Sequence, residues 1–523
     1  MPTRPDDPLI LEHWPGDVIE TACSTVYLLG QRGYKIRKAV KLAYLDFSTL
    51  ESRRHFSQEE VRLNAPLAPG VYQRVVPVVR EADGTRRIAD NGSPAGAPTV
   101  DFAVVMRRLP AEGMLAGVLG VRDLHDAERE AIVSRLAAFH AACAHGPDVA
   151  AHGSPERIRG EILTNLEQAA GLPGINEPVR SLVVESMSAQ LARLELVLAR
   201  RVREERIREG HGDLHAGNIC FDSAARTIDN PTGLLIYDRL EFRMDFRCKD
   251  VAAELACLAS TFDAHGRSRD GDRLVAEYAR ATGDPELSEL QNLYRAHYSC
   301  VRAKVHALCA REQTGDADSA RTHAAIARAR MAQAAGYALP PSLVLTCGLP
   351  GSGKSFASRA LGEALRAPIF RADEVRKELA GLRASDRGGP ELYTPRQTER
   401  TYATVLERCA ERLRARGGCS AIADATFRSR ELRARFIALA RSLGARVAIV
   451  HCRAGEDEIR RRLAQRAAEG ADASDADISV FEKMRGSFED PDPGEAPTVE
   501  MSPEVSTPYL VEQVVLALGR RGA

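Results

Sequence analysis

The chain has 523 residues, of which 44% are hydrophobic and 28% are charged, as in ordinary globular proteins. This length exceeds what one hydrophobic core usually supports, so it predicts two or more domains. Lysine plus arginine number 72 and aspartate plus glutamate number 72, a balance that argues against a protein dedicated to nucleic acid or to membrane surfaces.

The sequence patterns predict neither export nor insertion into a membrane. Met1–Pro8 is polar and lacks the apolar centre of a signal peptide. No stretch of about 18 consecutive residues is apolar throughout and without a charged residue, so no membrane-spanning helix is predicted. No two of the eleven cysteines have CxxC spacing, so neither a zinc knuckle nor a redox dithiol is indicated. We therefore expect a cytoplasmic protein without a membrane partner.

The N-terminal half begins with strand patterns and continues with helical ones. A charged helix is predicted over Leu50–Leu67, and the apolar spacing is helical over Asp126–Ala144 and Glu156–Arg208 and again from Asp250 to about Ala334. A loop-and-strand segment, Gly210–Phe246, separates the last two. The predicted strands are Val26–Leu29, Tyr34–Val40, Val75–Arg80, Thr85–Ala89 and Phe102–Arg107.

One polar loop of this half contains groups that phosphoryl transfer requires. The pattern HGDxHxxN spans His211–Asn218, and the apolar run Leu234–Tyr237 is followed by Asp238. Transfer from ATP needs a carboxylate near the acceptor hydroxyl, plus an amide and a second carboxylate that hold Mg²⁺ on the phosphates. Asp213, Asn218 and Asp238 fit these roles in that order; the alternative is a coincidental polar loop.

This region, from about residue 21 to residue 260, resembles the aminoglycoside phosphotransferase and choline kinase branch of the protein-kinase-like fold. The resemblance implies an α+β protein-kinase-like N-terminal domain, which we place at residues 1–337. It also implies that Asp213 is the catalytic base and that Asn218 and Asp238 hold the metal.

The same resemblance suggests three nucleotide-binding residues. Lys35 is the best candidate to grip the α and β phosphates, paired with Glu60 on the following helix, and Met106 would line the hinge strand that meets adenine. Lys38 and Glu59 are neighbouring alternatives. For either pair, a surface salt bridge without function is the competing interpretation.

Strands alternate with helices after Pro340–Pro341, where the helical pattern breaks. The alternation implies a parallel sheet covered on both faces, and we place this α/β P-loop kinase domain at residues 342–523. The stretch Glu489–Pro503 is interpreted as a loop. The predicted strands are Leu343–Cys347, Ile369–Arg371, Ser420–Asp424 and Ala445–Cys452, and the predicted helices are Ser355–Leu365, Glu374–Leu379, Arg396–Arg416, Glu431–Leu443 and Glu456–Ala468.

The segment Gly348–Ser355 satisfies GxxxxGK[ST] between a strand and a helix. The glycines let backbone amides point at phosphates, Lys354 reaches the β and γ oxygens, and Ser355 offers its hydroxyl to Mg²⁺. A glycine turn that only caps a helix is the competing interpretation. The residues expected to contact the nucleotide are Gly348, Gly351, Ser352, Gly353, Lys354 and Ser355.

Acceptor chemistry is indicated by a short pattern after this motif. Asp373 and Arg376 stand three apart on a predicted helix and therefore share one face. Asp373 would accept a proton from the attacking hydroxyl while Arg376 holds an acceptor group. The alternative is an N-capping aspartate beside a solvated arginine.

Two further features fit phosphoryl transfer. Asp424 ends a strand without a second acid beside it, so it would orient Mg²⁺ through water, or else has a structural role. Four arginines crowd one predicted helix, of which Arg462 and Arg466 are the expected nucleotide contacts of an arginine lid. A solvated helix face is the competing interpretation of that helix.

On these motifs, residues 343 to about 490 resemble the small P-loop kinases grouped with polynucleotide kinase, zeta toxins and chloramphenicol phosphotransferase. In that family the Asp of Asp-x-x-Arg is the general base and the Arg contacts the acceptor, which implies these roles for Asp373 and Arg376. Nearly the whole chain looks like bacterial fused aminoglycoside phosphotransferase/ATP-binding proteins.

Three hypotheses on function follow. The leading one is a bifunctional ATP- and Mg²⁺-dependent kinase that phosphorylates hydroxyl groups of small molecules at two sites. The second makes the N-terminal half a ligand-sensing module that controls the P-loop kinase. The third, which is not favoured, is a nucleic-acid end kinase. Residues 342–470 carry roughly ten more basic than acidic residues, which weakly favours a polyanionic acceptor, but the acidic tail after Gly470 largely cancels this excess. The sequence does not identify the acceptor of either site.

Overall fold

The computed structural model describes residues 9–42, 45–90, 92, 96–313, 316–383, 386, 388–414, 420–469 and 478–520. The chain divides into two compact units: Met1–Ile158 with Leu196–Ser288, and Arg159–Glu195 with Glu289–Ala523. These units do not test the sequence-based domains 1–337 and 342–523, which stay a prediction. Within the described part of the chain, no helix combines the length and the apolar character that crossing a bilayer would require.

The strands of both units are numbered together in chain order. They are β1 (Leu9–Ile10), β2 (Val18–Glu20), β3 (Ser24–Leu29), β4 (Arg32–Arg37), β5 (Lys41–Leu42), β6 (Leu45–Asp46), β7 (Tyr72–Arg80), β8 (Arg86–Ile88), β9 (Thr99–Arg107), β10 (Ile207–Glu209), β11 (Ile219–Phe221), β12 (Leu234–Ile236), β13 (Cys248–Asp250), β14 (Ser342–Cys347), β15 (Ile369–Arg371), β16 (Ala421–Asp424), β17 (Arg446–Cys452) and β18 (Thr498–Met501).

The α-helices are numbered in the same way. They are α1 (Leu50–Asn64), α2 (Leu115–Val121), α3 (Asp126–Ala142), α4 (Pro147–Ala150), α5 (Pro155–Gln168), α6 (Glu177–Arg203), α7 (Met244–Arg247), α8 (Val251–Ala264), α9 (Ser268–Thr282), α10 (Leu287–Glu312), α11 (Ala317–Ala338), α12 (Lys354–Leu365), α13 (Ala372–Leu379), α14 (Pro395–Arg414), α15 (Arg430–Ser442), α16 (Glu456–Glu469), α17 (Ile478–Arg485) and α18 (Thr507–Gly519).

The first unit is built on an antiparallel sheet of seven strands in the order β1-β8-β7-β9-β4-β3-β2. Side chains alternate between the two faces of β4. Tyr34 and Ile36 are buried in a core with Val78 and Val105. The intervening residues of β4 therefore point to the opposite face, where the candidate site of this unit lies.

The helical stretch predicted over Glu156–Arg208 is wrong in its middle and at its end. Two helices, α5 and α6, replace it, because Gly171 and Gly174 take positive φ angles of +68° and +81° that interrupt the helical path. The final residues enter β10, which pairs antiparallel with β13. Arg208 is thus a strand residue that precedes the HGDxHxxN loop.

The second unit contains a parallel sheet of five strands in the order β15-β16-β14-β17-β18, which confirms the predicted parallel sheet. Every residue of β14 and β16 is buried, as expected for central strands covered on both faces. The interpretation of Glu489–Pro503 as a loop is wrong at β18, an edge strand that pairs with β17. Its four residues are too few to show a periodic pattern among the flanking prolines and acids.

Candidate functional site

The phosphate loop of the second unit joins the C-terminal end of β14 to α12. Gly348, Gly351 and Gly353 have φ angles of +145°, +79° and +106°, which side chains rarely adopt. A Cβ atom on Gly348 would lie 2.3 Å from the carbonyl oxygen of Cys452. Glycine is therefore required both for the turn and for the close approach. The turn lets backbone amides point toward a phosphate bound at the N-terminus of α12.

Two polar side chains of this loop, Lys354 and Ser352, are placed where a phosphate could contact them. Lys354 Nζ donates to the carbonyl oxygen of Leu349 at 2.9 Å, a contact within its own loop. Ser352 Oγ is buried and has no hydrogen-bond partner in the described part of the chain. A buried hydroxyl without a partner is unfavourable, so a phosphate oxygen at this loop would satisfy it.

Two side chains with oxygen atoms, Ser355 and Asp424, lie beside the loop. Asp424, at the end of β16, is 4% exposed and accepts a 3.0 Å hydrogen bond from Thr346 Oγ1. The guanidinium of Arg371 lies 3.0 Å from Ser355 Oγ and 3.5 Å from Asp424 Oδ2. Burial raises the pKa of Asp424, and the nearby charges of Lys354 and Arg371 counteract this. A cationic group thus already lies between two oxygen ligands of the kind that Mg²⁺ prefers, so these residues fit the ion.

Asp373 and Arg376 share one face of α13, as their spacing predicts. Arg376 Nη1 donates to Asp373 Oδ1 at 2.7 Å, and its guanidinium lies 4.8 Å from the centre of the Tyr393 ring. The Asp373 carboxylate is 34% exposed, whereas the Arg376 side chain is 9% exposed. Arg371, not Asp373, occupies the cap position of α13. Asp373 therefore does not have the capping role, and its carboxylate lines the cavity of this unit.

The arginine-rich helix α16 divides its cations between two faces. Arg462 Nη1 donates to the carbonyl oxygen of Gly351 at 3.4 Å, and Arg462 and Arg466 both line the cavity of the phosphate loop. Arg460 and Arg461 instead form exposed ion pairs with glutamates. The two residues expected from the sequence as nucleotide contacts are the two that the helix turns toward the loop.

These groups converge on one cavity of 1430 Å³. Pockets for a single small ligand measure roughly 300–1,000 Å³, so this cavity has room for a nucleotide and an acceptor together. Nine basic side chains line it against four acidic ones, which favours anionic ligands. Its charged lining residues are Lys354, Arg359, Arg371, Asp373, Arg376, Glu399, Asp424, Arg428, Glu431, Arg435, Arg462, Arg466 and Lys483.

In the first unit, the predicted Lys35 and Glu60 are in contact. Lys35 Nζ lies 2.7 Å from Glu60 Oε1 and 3.3 Å from Asp238 Oδ1. Burial alone would lower the pKa of Lys35, but the two carboxylates outweigh it and hold that pKa well above its usual range. Lys38 and Glu59, the alternatives to Lys35 and Glu60, do not pair with each other. Lys38 pairs with Glu20, and Glu59 pairs with Arg62.

Sequence reasoning missed two members of this cluster. Arg37 Nη2 donates to Glu60 Oε2 at 2.6 Å and also contacts Glu241. Burial, with the neighbouring Glu60 carboxylate, raises the pKa of Glu241. The period-two pattern of β4 would have found Arg37, because it shares a face with Lys35. No local pattern links Glu241 to this strand.

The backbone at Asp238 is held in a conformation that is rare for a non-glycine residue. Its φ angle is +62°, and its amide donates to Tyr72 Oη at 3.1 Å. The next residue, Arg239, donates to the carbonyl oxygens of Gly210 and Glu209 at 2.8 and 2.5 Å. These contacts offset the strain of the turn that presents the Asp238 carboxylate.

The loop with Asp213 and Asn218 is fixed by hydrogen bonds. Asn218 Nδ2 donates to the carbonyl oxygen of Asp213 at 3.0 Å, and His215 Nε2 lies 3.5 Å from Asp213 Oδ2. Burial lowers the pKa of His211. Its Nδ1 accepts the Asp213 amide at 3.3 Å and its Nε2 donates to the carbonyl of Tyr237 at 2.9 Å, which is the hydrogen-bond pattern of a neutral ring. The loop is thereby joined to the segment that carries Asp238.

Glu254, on α8, anchors the same loop and was not foreseen. It accepts the Gly212 amide at 2.6 Å and His140 Nε2 at 2.8 Å, and it is 2% exposed. Burial raises its pKa, but the bond from His140, nearby histidines and the Gly212 amide outweigh this and bring that pKa to about 2. Glu254 is therefore an ionised carboxylate that fixes the loop through its hydrogen bond with the Gly212 amide.

Met106 lies on β9, opposite Gly33 of β4. It packs against a cluster that includes Val104, Tyr72 and Leu235. Gly33 is buried, and a Cβ on it would lie 3.3 Å from Leu28 Cδ2 and 3.7 Å from Met106 Cε. The surroundings of Met106 are therefore apolar and closely packed, and its contact with adenine stays a prediction.

Residues 343–491 match the model of the AAA_33 family, described as an AAA domain. Together with the parallel sheet and the phosphate loop, this match shows that the C-terminal part of the chain carries a P-loop domain. The uncharacterized protein Rv2004c of Mycobacterium tuberculosis is 29% identical over 482 residues, which cover 90% of this chain and 89% of the relative. An uncharacterized protein of Mycobacterium bovis, Mb2027c, matches to the same extent.

Two solved structures are similar to parts of the chain. A choline/ethanolamine kinase family protein from Mesorhizobium loti is 13% identical with a TM-score of 0.35, covering 61% of this chain and 90% of its own. A gluconokinase from Sinorhizobium meliloti is 22% identical with a TM-score of 0.25, covering 34% of this chain and 92% of its own.

Proposed function

We propose that the chain is an ATP-dependent phosphotransferase that transfers the γ-phosphoryl of ATP to hydroxyl groups of small molecules at two sites. The observation that carries the proposal is the shared cavity of the second unit, which is lined by Lys354, Ser355, Asp424, Asp373 and Arg376. Phosphoryl transfer needs a phosphate grip, oxygen ligands for a metal and a base near the acceptor, and the side chains that line this cavity are of the kinds that supply them, which supports the proposal.

The residues of this cavity have distinct tasks. Lys354 leaves the Leu349 carbonyl to bind the β and γ phosphate oxygens, and Arg462 and Arg466 neutralise charge on the transferring group. Ser355 and Asp424 would hold Mg²⁺, which neutralises the phosphates when bound. Arg371, which now contacts both, would have to move aside.

Asp373 accepts the proton that the acceptor hydroxyl loses during the transfer. The acceptor oxygen forms a bond to the γ-phosphorus while the bond from that phosphorus to the β,γ-bridging oxygen breaks, which releases ADP. The acceptor proton passes to the Asp373 carboxylate, and Arg376 keeps that carboxylate oriented through its 2.7 Å hydrogen bond.

The first unit supports a second transfer of the same kind. Asp213 would accept the acceptor proton, and Asn218 and Asp238 would hold the metal. Lys35 would bind the α and β phosphates while Glu60 holds it in place. The assembled ion-pair cluster supports this proposal, because a lysine positioned by a buried carboxylate is arranged before nucleotide binds.

A screen with labelled ATP tests both transfers. Hydroxyl-bearing metabolites, aminoglycosides and 5′-hydroxyl oligonucleotides are offered to the wild type and to the variants Asp373→Asn and Asp213→Asn. Each variant should lose transfer to one class of acceptor by roughly 10²- to 10⁴-fold, the usual contribution of a general base, and keep the other. Glu378→Gln and Asp229→Asn, which remove exposed carboxylates elsewhere in the same units, should change neither.

The outcomes separate the competing functions. If Asp213→Asn leaves every transfer intact, the first unit is a ligand-sensing module and not a second kinase. Salt-sensitive transfer to the oligonucleotides alone would identify a nucleic-acid end kinase. If Asp373→Asn changes nothing, the proposed chemistry of the second unit is wrong.

A further inference from the structure

The segment that follows β16 has a strained backbone beside the cavity of the second unit. Phe427 has a φ angle of +45°, although it is not glycine. Its ring is fully buried, with ring centres 4.9 Å from Phe436 and 5.6 Å from Tyr402. Strain of this kind persists only where the surrounding packing fixes it, and it clusters at functional sites.

The backbone on both sides of the next residue, Arg428, is held from outside the segment. Arg433 Nη1 donates to the carbonyl oxygen of Phe427 at 2.9 Å, and the amide of Glu489 donates to the carbonyl oxygen of Arg428 at 2.8 Å. Arg433 is itself fully buried and forms two 2.8 Å bonds to Glu495. The Arg428 side chain therefore starts from a fixed point, from which it lines the cavity.

Arg428 lies near the residues that face the acceptor. The ring centre of Tyr402 lies 5.6 Å from that of Phe427, the residue before Arg428, and Asp373, Arg376, Tyr402 and Arg428 all line the same cavity. Burial raises the pKa of the Tyr402 hydroxyl to about 12, and the Phe427 backbone and the charges of Arg376 and Arg428 counteract this. We refer to Asp373, Arg376, Tyr402 and Arg428 as the acceptor end of the cavity.

The charge of Arg428 is uncompensated at this end. Arg376 is paired with Asp373, and Arg435 is paired with Glu399 through two bonds of 2.8 and 2.9 Å. Within the described ranges, Arg428 forms no ion pair with an acidic side chain. Arg428 is exposed, so its guanidinium is open to an anion from outside the protein, and the fixed backbone limits the region that the side chain can reach.

We infer that the acceptor of the second unit carries an anionic group, a carboxylate or a phosphate, which Arg428 binds while a separate hydroxyl meets Asp373. The inference rests on the proposed function of this site and adds the class of its substrate. Arg428 binds without taking part in the transfer step, so it sets specificity, whereas Asp373, oriented by Arg376, accepts the proton of the reacting hydroxyl. A hydroxy acid or a sugar phosphate fits this arrangement; an uncharged polyol leaves the guanidinium unsatisfied.

Matched pairs of acceptors test the inference: D-glycerate against glycerol, and glucose 6-phosphate against glucose. The wild type should phosphorylate at least one anionic member and neither neutral member. Arg428→Gln should raise KM for that acceptor roughly 10- to 100-fold, with kcat and the KM for ATP nearly unchanged, because a charge-assisted hydrogen bond is lost. Arg428→Lys should give a KM for that acceptor between those of the wild type and Arg428→Gln, since it keeps the charge but not the bidentate geometry.

Arg430→Gln provides the matched control. Arg430 is exposed, two residues along, and is not part of the cavity lining. Its contacts with Asp492 and Glu495 are long, at 3.8 and 4.0 Å, and Glu495 keeps its two 2.8 Å bonds to Arg433, so the loss of Arg430 should leave every constant unchanged. A 5′-hydroxyl oligonucleotide, included as a third kind of anionic acceptor, would assign the anion to a nucleic-acid phosphate if only its KM responds to Arg428→Gln.

Two failures are distinguishable. Equal transfer to neutral and anionic members, or an Arg428→Gln variant with wild-type KM values, overturns the anion site and leaves the proposed kinase intact. If the wild type phosphorylates no acceptor, the proposed function fails. Calorimetry with D-glycerate and glycerol on protein saturated with Mg²⁺ and a non-hydrolysable ATP analogue then still decides the anion site. Binding of D-glycerate that Arg428→Gln abolishes supports it, and equal or absent binding of both refutes it.

Discussion

The two candidate phosphate sites of this chain are constructed in opposite ways. In the second unit, eight consecutive residues, Gly348–Ser355, form the site, and its lysine contacts a backbone carbonyl of the same loop. In the first unit, Lys35 contacts two carboxylates, Glu60 and Asp238, that come from distant parts of the chain. One site depends on backbone conformation, the other on the balance of buried side-chain charges.

This difference has consequences for how each site responds to mutation. Removing one partner from a buried ion cluster leaves the others uncompensated, which destabilises the fold itself. Adding a side chain to a glycine of the phosphate loop strains the loop while the sheet behind it stays intact. We therefore expect stability to respond most to mutation in the first unit, and nucleotide affinity to respond most in the second.

The largest effect on stability is expected from Glu60→Gln. Glu60 is fully buried and bonds both Lys35 and Arg37, so the variant should lose about 3–5 kcal/mol of unfolding free energy in the first unit. Trp14, the sole tryptophan, packs against Tyr27 and Tyr34 of this unit, so its fluorescence during urea unfolding measures the loss.

Glu59→Gln is the control for this prediction, because Glu59 forms an exposed ion pair with Arg62 on the same helix. Equal stability of the Glu60 and Glu59 variants would show that the charge cluster does not support the fold.

A smaller, pH-dependent effect is expected at Glu254. Its pKa falls from the ordinary 4.5 to about 2 on folding, so its ionised form stabilises the first unit fully above pH 4.5. That contribution is lost as the pH falls from 4.5 toward 2, by about 2 kcal/mol between pH 4.5 and pH 3.

Glu254→Gln should remove this dependence. The difference in unfolding free energy between wild type and variant, followed by Trp14 fluorescence, should therefore shrink by about that amount over the same interval. A difference that stays constant from pH 5 to pH 3 would mean that Glu254 is not held as a carboxylate by the Gly212 amide and His140.

The smallest effect is expected from Gly353→Ala in the phosphate loop. The φ angle of +106° disfavours alanine by about 1–2 kcal/mol, so the affinity of the second unit for a non-hydrolysable ATP analogue should fall roughly tenfold. Gly381→Ala is the matched control, since Gly381 has a φ angle of +74°, open space around its Cβ position and no place in the cavity. Equal affinities in both variants would argue against a site that depends on this backbone.

The predictability of the two sites follows their construction. The phosphate loop, the Asp373–Arg376 face and the cavity-facing Arg462 and Arg466 were accessible from sequence, because short-range spacing determines all of them. The parallel sheet was accessible for the same reason, since its strands and helices alternate regularly.

Contacts between residues far apart in the sequence could not be predicted from it. Arg371 between Ser355 and Asp424, Glu241 beside Arg37 and Glu254 beneath the Asp213 loop depend on tertiary packing that no local pattern encodes. Edge strand β18 and the break between α5 and α6 were missed because a few residues carry too little periodicity to outweigh their neighbours.

The most direct test of two separate nucleotide sites is a calorimetric titration of the intact protein with a non-hydrolysable ATP analogue and Mg²⁺. We expect saturation at two equivalents in the wild type, at one equivalent in Lys354→Ala and in Lys35→Ala, and no binding in the double variant. Saturation of the wild type at one equivalent, lost entirely in Lys354→Ala, would contradict a nucleotide site in the first unit.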